Sequence, residues 1–277
     1  MLKQRIIALE KALGADVLSF YGQIYDALVD PFLQVVEQLA AANGGVQPQS
    51  LYVVLTTPGG SAHTVERFVH ILRHHYTEVN FIVPSHAYSA GTIFCMSGDK
   101  IFMDYSSVLG PIDPQVVSKE GRMVSALGYL DQVDSLIEKS RNNTLTPAEL
   151  VMLKELDLAD LRSYDQAKKL TEELLEKWLV RYKFRNLKIQ DQSRQRDATD
   201  DEKEAYAQDI AKKLSNNNTW KTHGRPINIE ILNDIGLTIT DYSNLDIKND
   251  IRNYHWLVTD YVAANQMPVF IHTRKFL

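Results

Sequence analysis

Two apolar strands, each ending in a run of small residues and then a helix, follow one another closely and limit what this chain can fold into. Leu51-Tyr52-Val53-Val54-Leu55-Thr56-Thr57 is rich in β-branched and aromatic residues and stops at Pro58-Gly59-Gly60-Ser61. From Thr64 to Tyr76 the apolar residues Val65, Phe68, Val69 and Leu72 return at helical spacing. The second unit runs from the strand Asn80-Phe81-Ile82-Val83 through a polar turn to Ser89-Ala90-Gly91, then into the apolar helix Thr92-Ile93-Phe94-Cys95-Met96. Further strands are expected at Val17–Tyr21 and at 100–104, with a helix opened by Asp30-Pro31, carried on by Phe32, Val35, Val36 and Leu39 and closed by Asn43-Gly44-Gly45. Strands alternating with helices predict an α/β fold with a parallel sheet and right-handed crossovers. Ligands bind at the carboxyl ends of such strands, where Gly59, Gly60 and Ser89 fall.

Each junction has two readings. Ser89 at a sharp strand-to-helix turn either caps the helix or presents a nucleophilic hydroxyl beside free backbone N–H groups. Gly59-Gly60 is either a plain tight turn or a bare backbone that a reacting group approaches closely.

Taken together, Thr57-Pro58-Gly59-Gly60-Ser61 and Ser89-Ala90-Gly91-Thr92 resemble the superfamily of the Clp protease proteolytic subunit and signal peptide peptidase A, which shares its fold with crotonases. Within it the chain most resembles the serine dehydrogenase proteinases. Three further segments carry this likeness: Asp99-Lys100-Ile101-Phe102-Met103-Asp104, Leu109-Gly110-Pro111-Ile112-Asp113-Pro114-Gln115, and Thr222-His223-Gly224-Arg225-Pro226-Ile227 followed by Ile235-Gly236-Leu237. It covers residues 14–115 well and 220–240 more loosely.

The resemblance implies a ClpP/crotonase-like core and a serine peptidase that acts on peptides or proteins through an acyl-enzyme on Ser89. The N–H groups of Gly60 and Ala90, with Gly59 shaping the same turn, would hold the oxyanion. The base departs from the Clp pattern. Asp113 stands where a histidine is expected, His223 lies in the later region where an aspartate is expected, and no histidine falls between Ser89 and His223. Exchanged roles would give a Ser89, His223, Asp113 triad; against that, Asp113 shapes a turn and His223 caps a helix. A lysine base, as in signal peptide peptidase relatives, would be Lys119 or Lys139. Two other functions share this frame: a crotonase-type acyl-CoA enzyme, and an idle scaffold.

The remaining features narrow the surroundings. A net charge of −5 disfavours a nucleic-acid groove, and Cys95, the single cysteine, excludes an internal disulfide and suits a small buried hydrophobe. With neither a secretory leader nor a long apolar run in view, a cytoplasmic protein without a transmembrane segment is expected. Residues 1–117 would form the core, 118–218 a helical extension and 219–277 a segment returning to the core. In the extension, helical patterns run over Ser125–Lys139 and Leu153–Phe184, with a start at Thr146-Pro147-Ala148-Glu149; an exposed polar loop is expected over 191–204 and a turn at Asn216-Asn217-Asn218. A helix over Ile251–Ala264 and a strand at Val269–Ile271 close the chain. His70 and His74 sit at i, i+4, but the pattern of a zinc helix is missing, and they read as a solvated face, not a metal site. No cofactor is expected. The partners expected are a peptide or protein substrate and, by resemblance, further copies of the chain or an ATPase.

Overall fold

The computed structural model describes residues 1–42, 49–117, 121, 123–191 and 194–276. Its elements run α1 (Leu2–Leu13), β1 (Asp16–Gly22), α2 (Val29–Ala41), β2 (Ser50–Thr56), α3 (Ala62–His75), β3 (Glu78–Ile82), β4 (His86–Ala87), α4 (Ala90–Met96), β5 (Lys100–Met103) and β6 (Val108–Leu109). The chain continues as β7 (Gln115–Val117), β8 (Met123–Ser125), α5 (Ala126–Arg141), α6 (Pro147–Lys154), α7 (Leu158–Trp178), β9 (Lys188–Asp191), β10 (Arg194–Asp197) and α8 (Asp200–Ser215). The chain closes with α9 (Asn217–Trp220), α10 (Ile229–Asp234), β11 (Thr240–Asp241), α11 (Lys248–Ala264) and β12 (Val269–His272).

Six strands form the central sheet in the order β11-β5-β3-β2-β1-β12. All neighbours are parallel except β12, which runs antiparallel to β1 along one edge. Period-two alternation sends Leu18, Phe20, Val53, Leu55, Phe81 and Ile101 to one face and Val17, Val54, Ile82 and Phe102 to the other. The first face packs on α2, α3 and α4 through Phe32, Phe68 and Phe94; the second packs on α1 and α11 through Ile6, Leu9, Tyr254 and Val258. Burial on both faces accounts for the nearly continuous apolar runs of β2 and β3. Leu174, Leu175 and Trp178 of α7 and Ala207, Ile210 and Leu214 of α8 belong to the same buried cluster as α4, so the helical region packs directly onto the layer that carries α4.

Several expectations need correction. The polar stretch 191–204 is not a loop: it contains β10, which pairs antiparallel with β9, and the first turn of α8, where Thr199 and Glu202 form a capping box. The leucine pattern from Leu153 to Phe184 is broken, because Asp157 caps a new helix that starts at Leu158, accepting from Ala159 N, and Leu179–Lys183 is a π-helical turn. Asn217 begins a short helix where a turn was expected. The glycine stop at Asn43-Gly44-Gly45 lies outside the described residues.

A buried carboxylate ties the end of β5 to α11. Asp104 is 1% exposed, and its Oδ2 accepts hydrogen bonds from Arg252 Nε at 3.0 Å and Nη2 at 2.5 Å, while Ser106 N donates to Oδ1 at 2.9 Å. Burial opposes ionisation, but Arg252 and Ser106 outweigh it and hold the carboxyl at about 2. A folded-state value below the unfolded one stabilises the native chain above about pH 4, and the gain is lost as the pH falls towards 2. Asp104→Asn should therefore cost about 2–3 kcal/mol at neutral pH and flatten the acid limb of stability, as read by urea unfolding over a pH series.

Candidate active site

The end of β2 turns through Thr57, whose N–H donates to His86 O at 3.0 Å and whose carbonyl accepts from Tyr88 N at 3.0 Å. This parallel bridge lays the Gly59-Gly60 turn against the Tyr88-Ser89-Ala90 turn. The two come so close that a Cβ on Gly59 would lie 2.7 Å from Tyr88 O and 3.0 Å from Ser89 Cβ. Gly59 has φ +105° and Gly60 φ +146°, a conformation that side chains rarely adopt. On its other side Gly60 forms a bridge with Ile24, in which Ile24 N donates to Gly59 O and Ser61 N donates to Ile24 O, both at 2.9 Å. That pairing uses the groups flanking Gly60 and leaves its own N–H out of the ladder.

Ser89 sits at φ 52°, ψ −117° at the start of α4. The backbone is strained there, as at tight strand-to-helix turns that expose a reactive side chain. The side chain makes no capping hydrogen bond, so the capping reading fails on geometry. Gly59 N donates to Thr57 Oγ1 at 3.0 Å, which commits it to the turn. Among the described residues no acceptor meets the N–H of Gly60 or of Ala90.

His223 and Asp113 meet. Leu109 and Ile227 form an antiparallel bridge, with N–H to O distances of 3.0 and 2.9 Å. The bridge brings the segment after Leu109 alongside the one before Ile227, where Arg225 N donates to Thr222 O at 3.2 Å in a turn that carries His223. His223 Nδ1 lies 2.8 Å from Asp113 Oδ1; the carboxylate is 1% exposed and the imidazole 26%. With Nδ1 engaged by an acceptor, Nε2 is the nitrogen left for chemistry.

Ser89, Gly59, Gly60, Ala90 and His223 all line one cleft of about 740 Å³. Its walls are largely apolar: Ile24, Ile93 and Ile112 from the core, with Ala167, Leu170 and Thr171 of α7 from the extension. Sequence reasoning missed this contribution of α7. Tyr25, His63 and Gln115 also line it.

The lysine alternatives fare differently. Lys139 is a half-exposed ammonium in an ion pair with Glu149 at 2.6 Å and does not line the cleft, whereas a base of this kind requires a desolvated amine. Lys119 lies outside the described residues. A lysine that is desolvated, Lys183, has its amine pushed down to about 8 by burial, yet it stands beside Cys95 on the far end of α4 and is absent from the cleft lining. Cys95 is fully buried, and its thiol is pushed up by that burial, which leaves it inert. Among the described residues no group of three or more His, Cys, Asp or Glu side chains is placed to hold a metal, and no helix is long and apolar enough to cross a membrane.

The family described as ClpP-like SDH-type serine proteinases matches residues 36–178. Among curated proteins, MJ1495 of Methanocaldococcus jannaschii, described as uncharacterized, is 29% identical over 187 residues, covering 68% of this chain and 51% of that protein. MJ0137 of the same organism, likewise uncharacterized, is 36% identical over 80 residues, covering 29% of this chain and 28% of that protein. The chain thus spans about half or less of the length of these relatives. Among solved structures, a mutant of the membrane-bound stomatin-specific protease 1510-N aligns over 56% of this chain and 67% of its own, with 19% identity and a TM-score of 0.34.

Proposed function

The chain belongs to the ClpP-like SDH-type serine proteinases, and from that premise we propose that it hydrolyses peptide bonds in peptides or proteins through an acyl-enzyme on Ser89. One observation carries the reading: an uncapped serine on a strained turn shares a cleft with a histidine whose other ring nitrogen is held by a buried aspartate.

In this mechanism Ser89 Oγ attacks the scissile carbonyl carbon while His223 Nε2 takes the hydroxyl proton. Asp113 keeps the Nδ1 proton in place and stabilises the imidazolium that forms. The carbonyl oxygen becomes an oxyanion between the N–H groups of Gly60 and Ala90, two donors already fixed by the turns that carry them. Collapse breaks the C–N bond, and His223 returns its proton to the leaving amine. Water, deprotonated by the same nitrogen, then cleaves the ester and restores the serine. No cofactor enters these steps. Self-assembly belongs to the same proposal and rests on family likeness alone.

The test is proteolysis of an unfolded substrate such as casein, with a panel of fluorogenic peptides alongside. The intact chain should cleave at least one of them, and Ser89→Ala should abolish cleavage without changing the circular dichroism spectrum. Equal cleavage by the parent and Ser89→Ala would remove this function.

A further inference from the structure

We propose that Gln115 is a positioning residue of this site, holding the Asp113 carboxylate in the orientation that His223 requires; the inference rests on the peptidase reading above. Asp113 is a buried carboxylate with two oxygens, each of which needs a donor. Oδ1 faces His223 Nδ1 at 2.8 Å, and Oδ2 accepts a hydrogen bond from Gln115 Nε2 at 3.1 Å. Among the described residues these are the side-chain donors that the carboxylate meets.

The local chain explains the contact. Asp113 and Gln115 are two residues apart, and the Gln115 side chain reaches back over Pro114 to the carboxylate. The backbone of Gln115 is itself fixed, because β7 pairs with β8 at Gln115 and Ser125, and Ala126 N donates to Pro114 O at 2.9 Å. Only the amide nitrogen of Gln115 can face a carboxylate, so the side chain reaches Asp113 with a defined orientation while also lining the cleft. A carboxylate gripped at one oxygen is free to rotate about its Cβ–Cγ bond; gripped at both, it presents Oδ1 in one plane. The His223 ring inherits that plane, and with it the direction in which Nε2 is presented. Displacement of a catalytic group by about 1 Å costs on the order of 100-fold in rate.

The experiment is a double-mutant cycle on the full chain, reading the rate constant of Ser89 acylation by a fluorophosphonate. Gln115→Met keeps the length of the side chain and removes the donor. It should slow acylation roughly 10- to 100-fold in the parent, yet less than about twofold in an Asp113→Asn background, because its effect passes through the carboxylate. Gln115→Glu supplies an independent readout should the methionine variant fold poorly. A second carboxylate beside Asp113 should move the midpoint of the pH–rate curve upward, the shift expected if residue 115 lies against the carboxylate that His223 engages. Equal slowing by Gln115→Met in both backgrounds, or parent-like rates, or an unmoved midpoint in Gln115→Glu, overturns the inference while leaving the peptidase reading intact. Failure of the parent chain itself to label at Ser89 removes both.

Discussion

His223→Ala should acylate at Ser89 roughly a thousandfold more slowly than the parent chain at neutral pH, within the range a lost general base commands. The serine hydroxyl is a weak nucleophile until a base accepts its proton, and His223 lines the same cleft with one ring nitrogen fixed 2.8 Å from Asp113. His63 also lines the cleft, but it sits in the first turn of α3, and no hydrogen bond to a carboxylate is seen at its ring among the described residues. His63→Ala is therefore expected to acylate within a few-fold of the parent, and Lys139→Ala at the parent rate, since its ammonium is half-exposed and paired with Glu149. Stopped-flow labelling with a fluorescent fluorophosphonate separates these cases. The fold should survive His223→Ala, because the imidazole is 26% exposed and water reaches the vacated edge of Asp113.

The second large effect is expected at Gly60. A Cβ there would lie 1.9 Å from Ile24 O, inside any van der Waals contact, and φ is +146°. Neither partner yields easily: the Ile24 carbonyl is held by the N–H of Ser61, and the turn is pinned to Ser89 by Gly59. Gly60→Ala must therefore shift the turn and carry its N–H away from the place proposed for the oxyanion. Loss of one such donor costs about 100- to 1000-fold in turnover, and the backbone strain costs about 1–3 kcal/mol of stability. Thermal unfolding read beside the acylation rate distinguishes the two components: the rate should fall far more than the folded fraction does at the assay temperature. Parent-like acylation by a folded Gly60→Ala would exclude this N–H from the mechanism.

Much of this architecture is legible in the sequence for a physical reason. Strands buried on both faces must be apolar throughout, so β2 and β3 stand out, and the small residues at their ends mark where two backbones touch. The extension is less legible. Its hairpin β9–β10 carries charges on both faces, so alternation is lost, and Arg196 spends its charge on Glu202 across the cap of α8. The break between α6 and α7 hides in an unbroken leucine spacing, because a single aspartate cap resets the helix. That α7 forms a wall of the cleft depends on packing across the whole chain, which periodicity does not encode. The pairing of Asp113 with His223 spans 110 residues, and motif order pointed to it where local spacing had no means to. Lys139 shows the opposite case: a lysine at a plausible distance in sequence becomes a solvated ion pair once α5 and α6 are placed.

The central claim is that the hydroxyl of residue 89 is a nucleophile held beside two open backbone donors. Incubation of the intact chain with a fluorophosphonate, digestion and mass spectrometry of the peptides tests it directly. The account predicts one stoichiometric adduct on Ser89 that disappears in Ser89→Ala and forms at a strongly reduced rate in His223→Ala. An unmodified Ser89 peptide after prolonged exposure, or an adduct on a different serine, would contradict it.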